Sequence, residues 1–467
     1  MNYWELEQFG QRTALIAGDR QLSYTGLAAL ADQLAQHLPA GSGIGLLLMP
    51  TCVEAIALYL SALRSGRQVP LLLQAETDAA AITRLVADYQ PEWLATTSPA
   101  PAGYTTTYRG EVLSLHVRDA DAATAPSPHA ELGLLLSTSG TTGSSKLVRL
   151  SRRNLACNAA AIVEYLGLTG DDRAITTLPL AYSFGMSILN SHLAVGGSLV
   201  LSNDSLMTRE FWTAARDNAV TSLSGVPATF EMLRRMGIAR MQLPSLRMLT
   251  QAGGRLRDEL VRHFAEETRS HGLLFFVMYG QTEAAPRISF VPPERLVDKI
   301  GSIGIPVPGG HLHLEPSTGE LVYEGPNVML GYATTRADLG KGDELGGVLH
   351  TGDLARVDED GYFYITGRAK RFVKMAGNRV NLDEVEAMLS TTLGRQIACA
   401  GADDALAVFG HGDQPLDVDQ VRQLLQAQYK LFGGHIHVHQ LDALPLLPTG
   451  KIDYRALQSQ ATSGAAT

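Results

Sequence analysis

The chain has 467 residues, 45% of them hydrophobic, and a formal net charge of −9. That length predicts two or more domains with large cores, and the acidic balance excludes a protein that coats nucleic acid by bulk electrostatics. The three cysteines, Cys52, Cys157 and Cys399, lie too far apart for a zinc spacing or a disulfide framework, which fits a reducing, cytoplasmic setting.

The opening MNYWELEQFG carries two glutamates and lacks a basic and apolar leader, so no secretory signal is expected. No apolar stretch reaches the ~20 residues of a membrane span. Residues 43–49 (GIGLLLM) predict a strand. TCVEAIALYLSALRSG predicts an amphipathic helix with Thr51 as N-cap and Gly66 as stop, and QVPLLL predicts a second strand. The rhythm repeats: strand 132–137, helix 152–166, strand 198–201, helix 211–218, strand 246–250, helix 256–269 and strand 273–278. Such alternation indicates an α/β fold with buried sheets. From Gly301 the texture changes to short strands at 311–315, 320–324, 354–357 and 362–366, read as a small β-barrel or distorted sheet. A new α/β unit follows the charged stretch 368–374, with helices over 382–389 and 418–429 and an end near Leu457. The tail QSQATSGAAT reads as frayed.

Four segments carry chemistry. In Leu134–Lys146 (LLLSTSGTTGSSK) an apolar strand runs into hydroxyls, glycines and one lysine. Glycines let successive N–H groups turn inward and hydroxyls add donors, which makes a nest for a polyphosphate. The spacing is not that of a Walker A loop, and taken alone the segment also reads as a polar surface loop. MYGQTEA at 278–284 follows a strand. There Tyr279 offers a flat face for a base, Thr282 a hydroxyl for a phosphate and Glu283 a hard oxygen for Mg²⁺; an ordinary strand-end turn fits equally. HTGD at 350–353 and ITGR at 365–368 place Asp353 where it can accept from ribose hydroxyls, or form two plain turns. LPTGKID at 447–453 holds Lys451 on a Pro/Gly loop, as a mobile cation or an exposed lysine.

In this order the segments resemble the adenylate-forming superfamily of acyl- and aryl-CoA synthetases, non-ribosomal adenylation domains and luciferase. The resemblance runs from about Leu22 to Leu457 through STSGTTGSSK, LPLAYSFG, YGQTE, GELVYEGPNVMLGY, HTGD, GRAKRFVKMAGNRVNLDEVE and LPTGK. It implies a large N-terminal domain over 1–369 of two stacked α/β subdomains plus a small β-barrel. It also implies a mobile α+β C-terminal domain over 370–457 and a disordered tail over 458–467. The implied activity joins a carboxylate to ATP, releasing pyrophosphate, and passes the acyl group to CoA or to the phosphopantetheine of a carrier protein. Two anions meet in the first step, so catalysis there is charge neutralisation and alignment.

By the same resemblance Ser137, Thr138, Ser139, Gly140, Thr141, Thr142, Gly143 and Lys146 hold the β- and γ-phosphates. Thr282 meets the α-phosphate and Glu283 the Mg²⁺. Tyr279, with the turn Ala252, Gly253, Gly254, flanks the adenine, and Gly280 and Gln281 belong to the same ATP site. Asp353 and Arg368 serve the ribose. Lys451 bridges carboxylate and α-phosphate, Lys370 marks the hinge and Gly377 the thiol channel. Two positions depart from the family pattern: Ser145 stands where a proline is usual, and Arg371 where an acid often follows the hinge. With Arg368, Lys370, Lys374 and Arg379, Arg371 is read either as a solvated charge run or as a basic surface for CoA phosphates or an acidic carrier helix.

The acid's pocket is expected from Tyr182, Ser183, Phe184 and Gly185, with Val226, Pro227, Ala252, Gly253, Met278 and Ala284 as further walls. None is acidic, and a buried ammonium without a partner is costly. An uncharged tail is therefore expected, aliphatic before aryl. The alternative is a stand-alone enzyme loading an amino acid onto a carrier. A third reading, a non-catalytic nucleotide binder, finds no support, since Lys146, Glu283, Asp353 and Lys451 are all present. No carrier domain is read after Leu457, so a carrier partner is expected on another chain. Gly41-Ser-Gly-Ile-Gly45 precedes a strand and lacks the third glycine of a dinucleotide fingerprint. His435, His437 and His439 share a strand face without a completing carboxylate or cysteine, and no G-x-S-x-G elbow occurs.

Overall fold

The computed structural model describes residues 2–119, 126–137, 146–368, 371–375, 378–402, 404–412, 414–429, 436–447 and 451–463. The chain divides into two compact units, Met1–Leu312 with Tyr323–Leu349, and His313–Val322 with His350–Thr467.

Two large sheets build the first unit. One runs in the order Gly331–Ala333, Leu147–Ser151, Leu132–Ser137, Gln68–Leu73, Gly43–Leu48, Trp93–Thr96, Ser114–Arg118, Tyr104–Arg109. Its inner strands GIGLLL and QVPLLL are buried at every position, as parallel strands covered on both faces must be. Pro70 stands inside this sheet. The ladder to Leu132–Ser137 begins only at Leu71↔Leu135, so the residue with no N–H to donate precedes it. Between them Val53–Ser65 packs along Ala55–Leu63 and stops at Gly66, where φ is 68°. Its N-cap is Cys52, extended and without a capping side-chain bond, and not Thr51, which lies one residue too early.

Gly45, part of the rejected glycine run, has a packing role. A Cβ there would lie 1.9 Å from the Trp93 ring, whose Nε1 donates to the buried Gln68 at 2.9 Å. All three tryptophans, Trp4, Trp93 and Trp212, are buried in this unit.

The second large sheet runs Ile305–Pro306, Arg287–Val291, Leu274–Gly280, Met248–Gln251, Ser222–Gly225, Arg173–Ile175, Ser198–Leu201, Thr13–Ala17, Arg20–Ser23. Its middle strands are parallel, and Leu274–Gly280 pairs antiparallel with Arg287–Val291. That reversal leaves a short turn at the end of a buried strand, and the candidate site is built there. Helices Arg152–Leu166 and Ser183–Ala194 cover the sheet near it.

Of the two readings of the stretch after Gly301, small barrel or distorted sheet, the described residues form a four-stranded sheet, in the order His311–Leu314, Glu320–Glu324, Val348–Val357, Phe363–Arg368. The second unit adds a hairpin, Phe372–Met375 with Asn378–Asn381. It also has a three-stranded sheet, Ala398–Ala402, Ala405–His411 and Ile436–Leu441. The division falls before the boundary expected at 369. Asp353–Val357 ladder onto Phe363–Arg368, and helix Leu382–Leu393 packs against that strand. Of the stretch expected to fray over 458–467, the described part continues the helix Tyr454–Ser463. Leu457 is fully buried there and the Gln458 carboxamide accepts from Gly401 N–H at 3.0 Å, so burial and a backbone bond hold it. Among the described residues no helix is long and apolar enough to cross a membrane.

Candidate active site

The turn after Leu274–Gly280 is tight for a stated reason. A Cβ at Gly280 would lie 1.9 Å from the Pro286 carbonyl, and Gln281 N–H donates to that same oxygen at 2.9 Å. Only glycine lets the chain fold back so closely. Thr282–Ala284 then form one 3-10 turn that presents Thr282 and Glu283, while Ala284 is buried and its carbonyl accepts from Asn327 at 2.6 Å. Gln281 Nε2 donates to Tyr279 Oη at 3.1 Å.

Three other segments converge on this turn. Ser183, the first residue of helix Ser183–Ala194, lies with its Oγ 3.2 Å from Thr282 Oγ1. Gly185 follows because a Cβ there would press on the Pro179 carbonyl, 2.3 Å away. Gly253 takes φ +84° at the end of its strand, and a Cβ there would sit 2.8 Å from Tyr182 Oη and 3.0 Å from Val226. Gly254 faces Pro227, the first residue of helix Pro227–Met236. Tyr182, Phe184, Val226, Ala252 and Met278 thus share one buried cluster.

Lys146 enters from the strand Leu147–Ser151, its Nζ 3.4 Å from the centre of the Tyr332 ring. Tyr332 donates to Glu283 Oε1 at 2.8 Å, and Met329 N–H donates to the Glu283 carbonyl at 2.8 Å. Burial, then the Glu283 charge, push the Tyr332 phenol well above its ordinary value, so it stays a donor. Tyr332 sits in the quoted GELVYEGPNVMLGY segment, yet its role as the link between Lys146 and Glu283 was not foreseen. Glu283 forms no salt bridge among the described residues, and its hard oxygens fit a divalent cation.

Behind the turn lies a narrow cavity of about 20 Å³, room for about one water. Phe184 and Met278, both expected as walls, line it together with Ile162, His192, Thr250 and Arg287. It is less apolar than expected: several serines also border it, and the Arg287 guanidinium lies 4.2 Å over the Phe184 ring. A larger cavity of about 550 Å³, bordered by Glu131, Arg152, Pro326 and Asp343, contains none of the residues expected in the site. Size alone is thus a poor guide here, and the chemistry favours the turn.

Ser137 ends its strand exposed. Thr138, Ser139, Gly140, Thr141, Thr142, Gly143, Lys370 and Gly377 lie outside the described residues. Asp353, Arg368 and Lys451 belong to the second unit. There Asp353 is buried opposite Arg368 in an antiparallel register, with Arg368 Nε 3.4 Å from Asp353 Oδ1. The Lys451 carbonyl accepts from Leu447 N–H at 2.7 Å.

Arg371 is not part of an open basic surface. Its side chain is 15% exposed, pairs with Asp383 and, at 2.7 Å, with Glu386, donates to the Cys399 carbonyl and lies 3.8 Å over the Tyr454 ring. Burial alone would lower its pKa, but the Glu386 hydrogen bond and charge raise it. Burial pushes Glu386 up, and Arg371 offsets part of that.

A family model described as AMP-binding enzyme matches residues 3–333. An indoleacetate–CoA ligase of Aromatoleum aromaticum is 30% identical, with 70% of this chain and 68% of the relative covered. A probable CoA ligase of Humulus lupulus is 27% identical, covering 95% of this chain and 92% of its own. Among solved structures, the o-succinylbenzoate CoA synthetase from Bacillus subtilis in complex with its acyl-adenylate intermediate superposes with a TM-score of 0.77 at 23% identity, with 98% of each chain covered. At that identity the likeness is one of fold.

Proposed function

Because the chain belongs to the AMP-binding enzymes, the adenylate-forming superfamily, we propose that it is an AMP-forming ligase joining a small carboxylic acid, aliphatic or aryl, to the thiol of CoA. The observation that carries this reading is the convergence of Ser183, Thr282, Glu283, Tyr332 and Lys146 at the end of one buried strand.

In the first half-reaction a carboxylate oxygen of the acid attacks the α-phosphorus of ATP. The new P–O bond forms as the bond to pyrophosphate breaks. Lys146, with Ser137 and the loop after it, balances the β- and γ-phosphates; Thr282 donates to the α-phosphate. Tyr279 and the turn at Ala252, Gly253 and Gly254 flank the base, with Gly280 and Gln281 beside it. Asp353 takes the ribose hydroxyls, assisted by Arg368. Glu283, oriented by Tyr332, is the residue that would hold Mg²⁺, which supplies charge neutralisation on the phosphates when bound. Lys451 bridges the two anions as negative charge builds between them. In the second half-reaction the thiol sulfur attacks the acyl carbon, loses its proton, and AMP departs. A domain boundary near 369 with a hinge at Lys370 and a thiol path at Gly377 would let one chain perform both steps in turn.

ATP–pyrophosphate exchange over an acid panel, followed by competition between CoA and a holo-carrier protein for the adenylate, tests this. Exchange with at least one acid and transfer to CoA are expected. Transfer to the carrier alone would replace the acceptor, and ATP binding without exchange for any acid would overturn the reading. Lys451→Ala should slow adenylation by on the order of a hundredfold or more while thiol transfer from preformed adenylate survives; equal loss of both steps would remove Lys451 from its role.

A further inference from the structure

Lys451 belongs to a small hairpin. Leu446 and Ile452 bridge, Leu447 N–H donates to the Lys451 carbonyl at 2.7 Å, and Asp453 N–H donates to the Pro445 carbonyl at 2.8 Å. These bonds close the hairpin on itself. Leu446 is 54% exposed and adds little packing. Asp453 serves its own helix, its Oδ1 accepting from Arg455 N–H at 3.0 Å and Ala456 N–H at 3.1 Å. Among the described residues, the first side chain past Lys451 to grip another element by a hydrogen bond is that of Tyr454. It opens helix Tyr454–Ser463, and its Oη donates to Glu386 Oε2 at 3.0 Å.

Glu386, on helix Leu382–Leu393, is the centre of that grip. Its side chain is 13% exposed, and besides the phenol it accepts from Arg371 Nη2 at 2.7 Å and from Cys399 N–H at 2.6 Å. Arg371 lies over the Tyr454 ring, pairs with Asp383 and donates to the Cys399 carbonyl at 2.8 Å. The tyrosine is thus held twice, on its face and at its tip. Burial, then the Glu386 charge, push its phenol well above the ordinary value, so it stays a donor. The hydroxyl is not needed to neutralise Glu386, which already has a guanidinium and an N–H. Nor is it needed for the stacking, since a phenylalanine ring offers Arg371 the same face. What it adds is direction: the bond at the ring's tip fixes where the helix starts, and so where the hairpin just before it lies.

We propose that Tyr454 is a positioning residue for the adenylation step: held by Glu386 and Arg371, it sets the place of the hairpin that carries Lys451. Arg371 immediately precedes strand Phe372–Met375, so the lysine turns as one body with that strand. This rests on the ligase reading above and on the role given there to Lys451. Alignment is worth much in such a step, where a misplacement of about 1 Å can cost on the order of a hundredfold.

The test uses the full chain, with ATP–pyrophosphate exchange for adenylation and thioester formation from preformed adenylate for transfer. Tyr454→Phe should lower kcat of exchange roughly tenfold, leave KM for ATP and for the acid within about twofold, and leave transfer unchanged. In a Lys451→Ala background the same change should have no further effect on single-turnover adenylate formation, because the two residues act as a unit. Arg371→Lys keeps a charge beside Glu386 but loses the planar fork and the stacking. It should show the same split between half-reactions, and it decides if Tyr454→Phe fails to fold. An unchanged kcat in folded Tyr454→Phe, with or without a lower melting temperature, would assign the cluster to stability alone and overturn the positioning role. Equal loss in both half-reactions, or the same loss repeated in the absence of Lys451, would overturn it too, and each of these leaves the ligase reading standing. Exchange by Lys451→Ala at the wild-type rate would remove the lysine from its role and the positioning with it. No exchange by the wild type with any acid would overturn the ligase reading itself.

Discussion

Arg371 and Arg287 are both arginines withdrawn from water and laid over an aromatic ring, yet their surroundings differ in kind. Arg371, in the second unit, meets Asp383, Glu386 and the Cys399 carbonyl. Arg287, in the first, meets ring faces and hydroxyls and no carboxylate among the described residues. A charge whose partners are all supplied by its own chain holds a fold together. A charge left short of a carboxylate weighs against the fold that buries it.

The largest expected effect separates the two directly. Arg371→Met should cost about 3–5 kcal/mol, because it strands Glu386 and Asp383, and should lower the melting temperature of the second unit. Arg287→Met should leave the unliganded protein within about 1 kcal/mol of wild type or stabilise it, since a buried unpaired charge is removed. Equal losses in thermal melts of the two variants would break the comparison. Gly45→Ala offers a packing yardstick between these limits: the added methyl overlaps the Trp93 ring and should cost about 1–3 kcal/mol in denaturant unfolding.

Tyr332→Phe removes the one bond that ties Lys146's aromatic neighbour to Glu283. The net worth of such a bond to a charged group is about 1.5–3 kcal/mol. Steady-state exchange should fall by roughly tenfold or more at fixed Mg²⁺ and recover in part as Mg²⁺ is raised.

The smallest effect concerns His192, which lines the same cavity as Arg287. Burial holds its pKa below the ordinary 6.5, with Asp172 and Arg247 acting in opposite directions. Just below pH 6.5 the unfolded chain takes up a proton that the folded chain refuses, so stability falls as pH drops through that window. A loss on the order of 2 °C in melting temperature between pH 7.5 and 5.5 should be smaller in His192→Asn.

The same contrast explains what could be read from the amino acids alone. Strand Leu132–Ser137 and helices Arg152–Leu166 and Val418–Tyr429 have the expected bounds, because apolar runs and capped amphipathic stretches carry their own period. Helix Ser183–Ala194 escaped: nearly all of it is buried, so it has no polar face to set a rhythm. Thr282, Glu283 and the proposed pocket walls enter as candidates through their motifs alone. Arg287 does not, since an arginine in a strand reads as solvent-facing until its neighbours are known. Arg149 teaches the same lesson. It is fully buried, with its partners near Leu330, Lys341 and Glu344, far along the chain.

The placement of Trp4, Trp93 and Trp212 has a spectroscopic consequence. All the indoles reside in the first unit, so ultraviolet emission excited at their absorption edge follows that unit alone. The second unit, which carries Lys451, is silent in that channel while contributing to circular dichroism. The two signals, recorded on one sample during heating, distinguish loss of the strand-end turn from loss of the segment bearing Lys451.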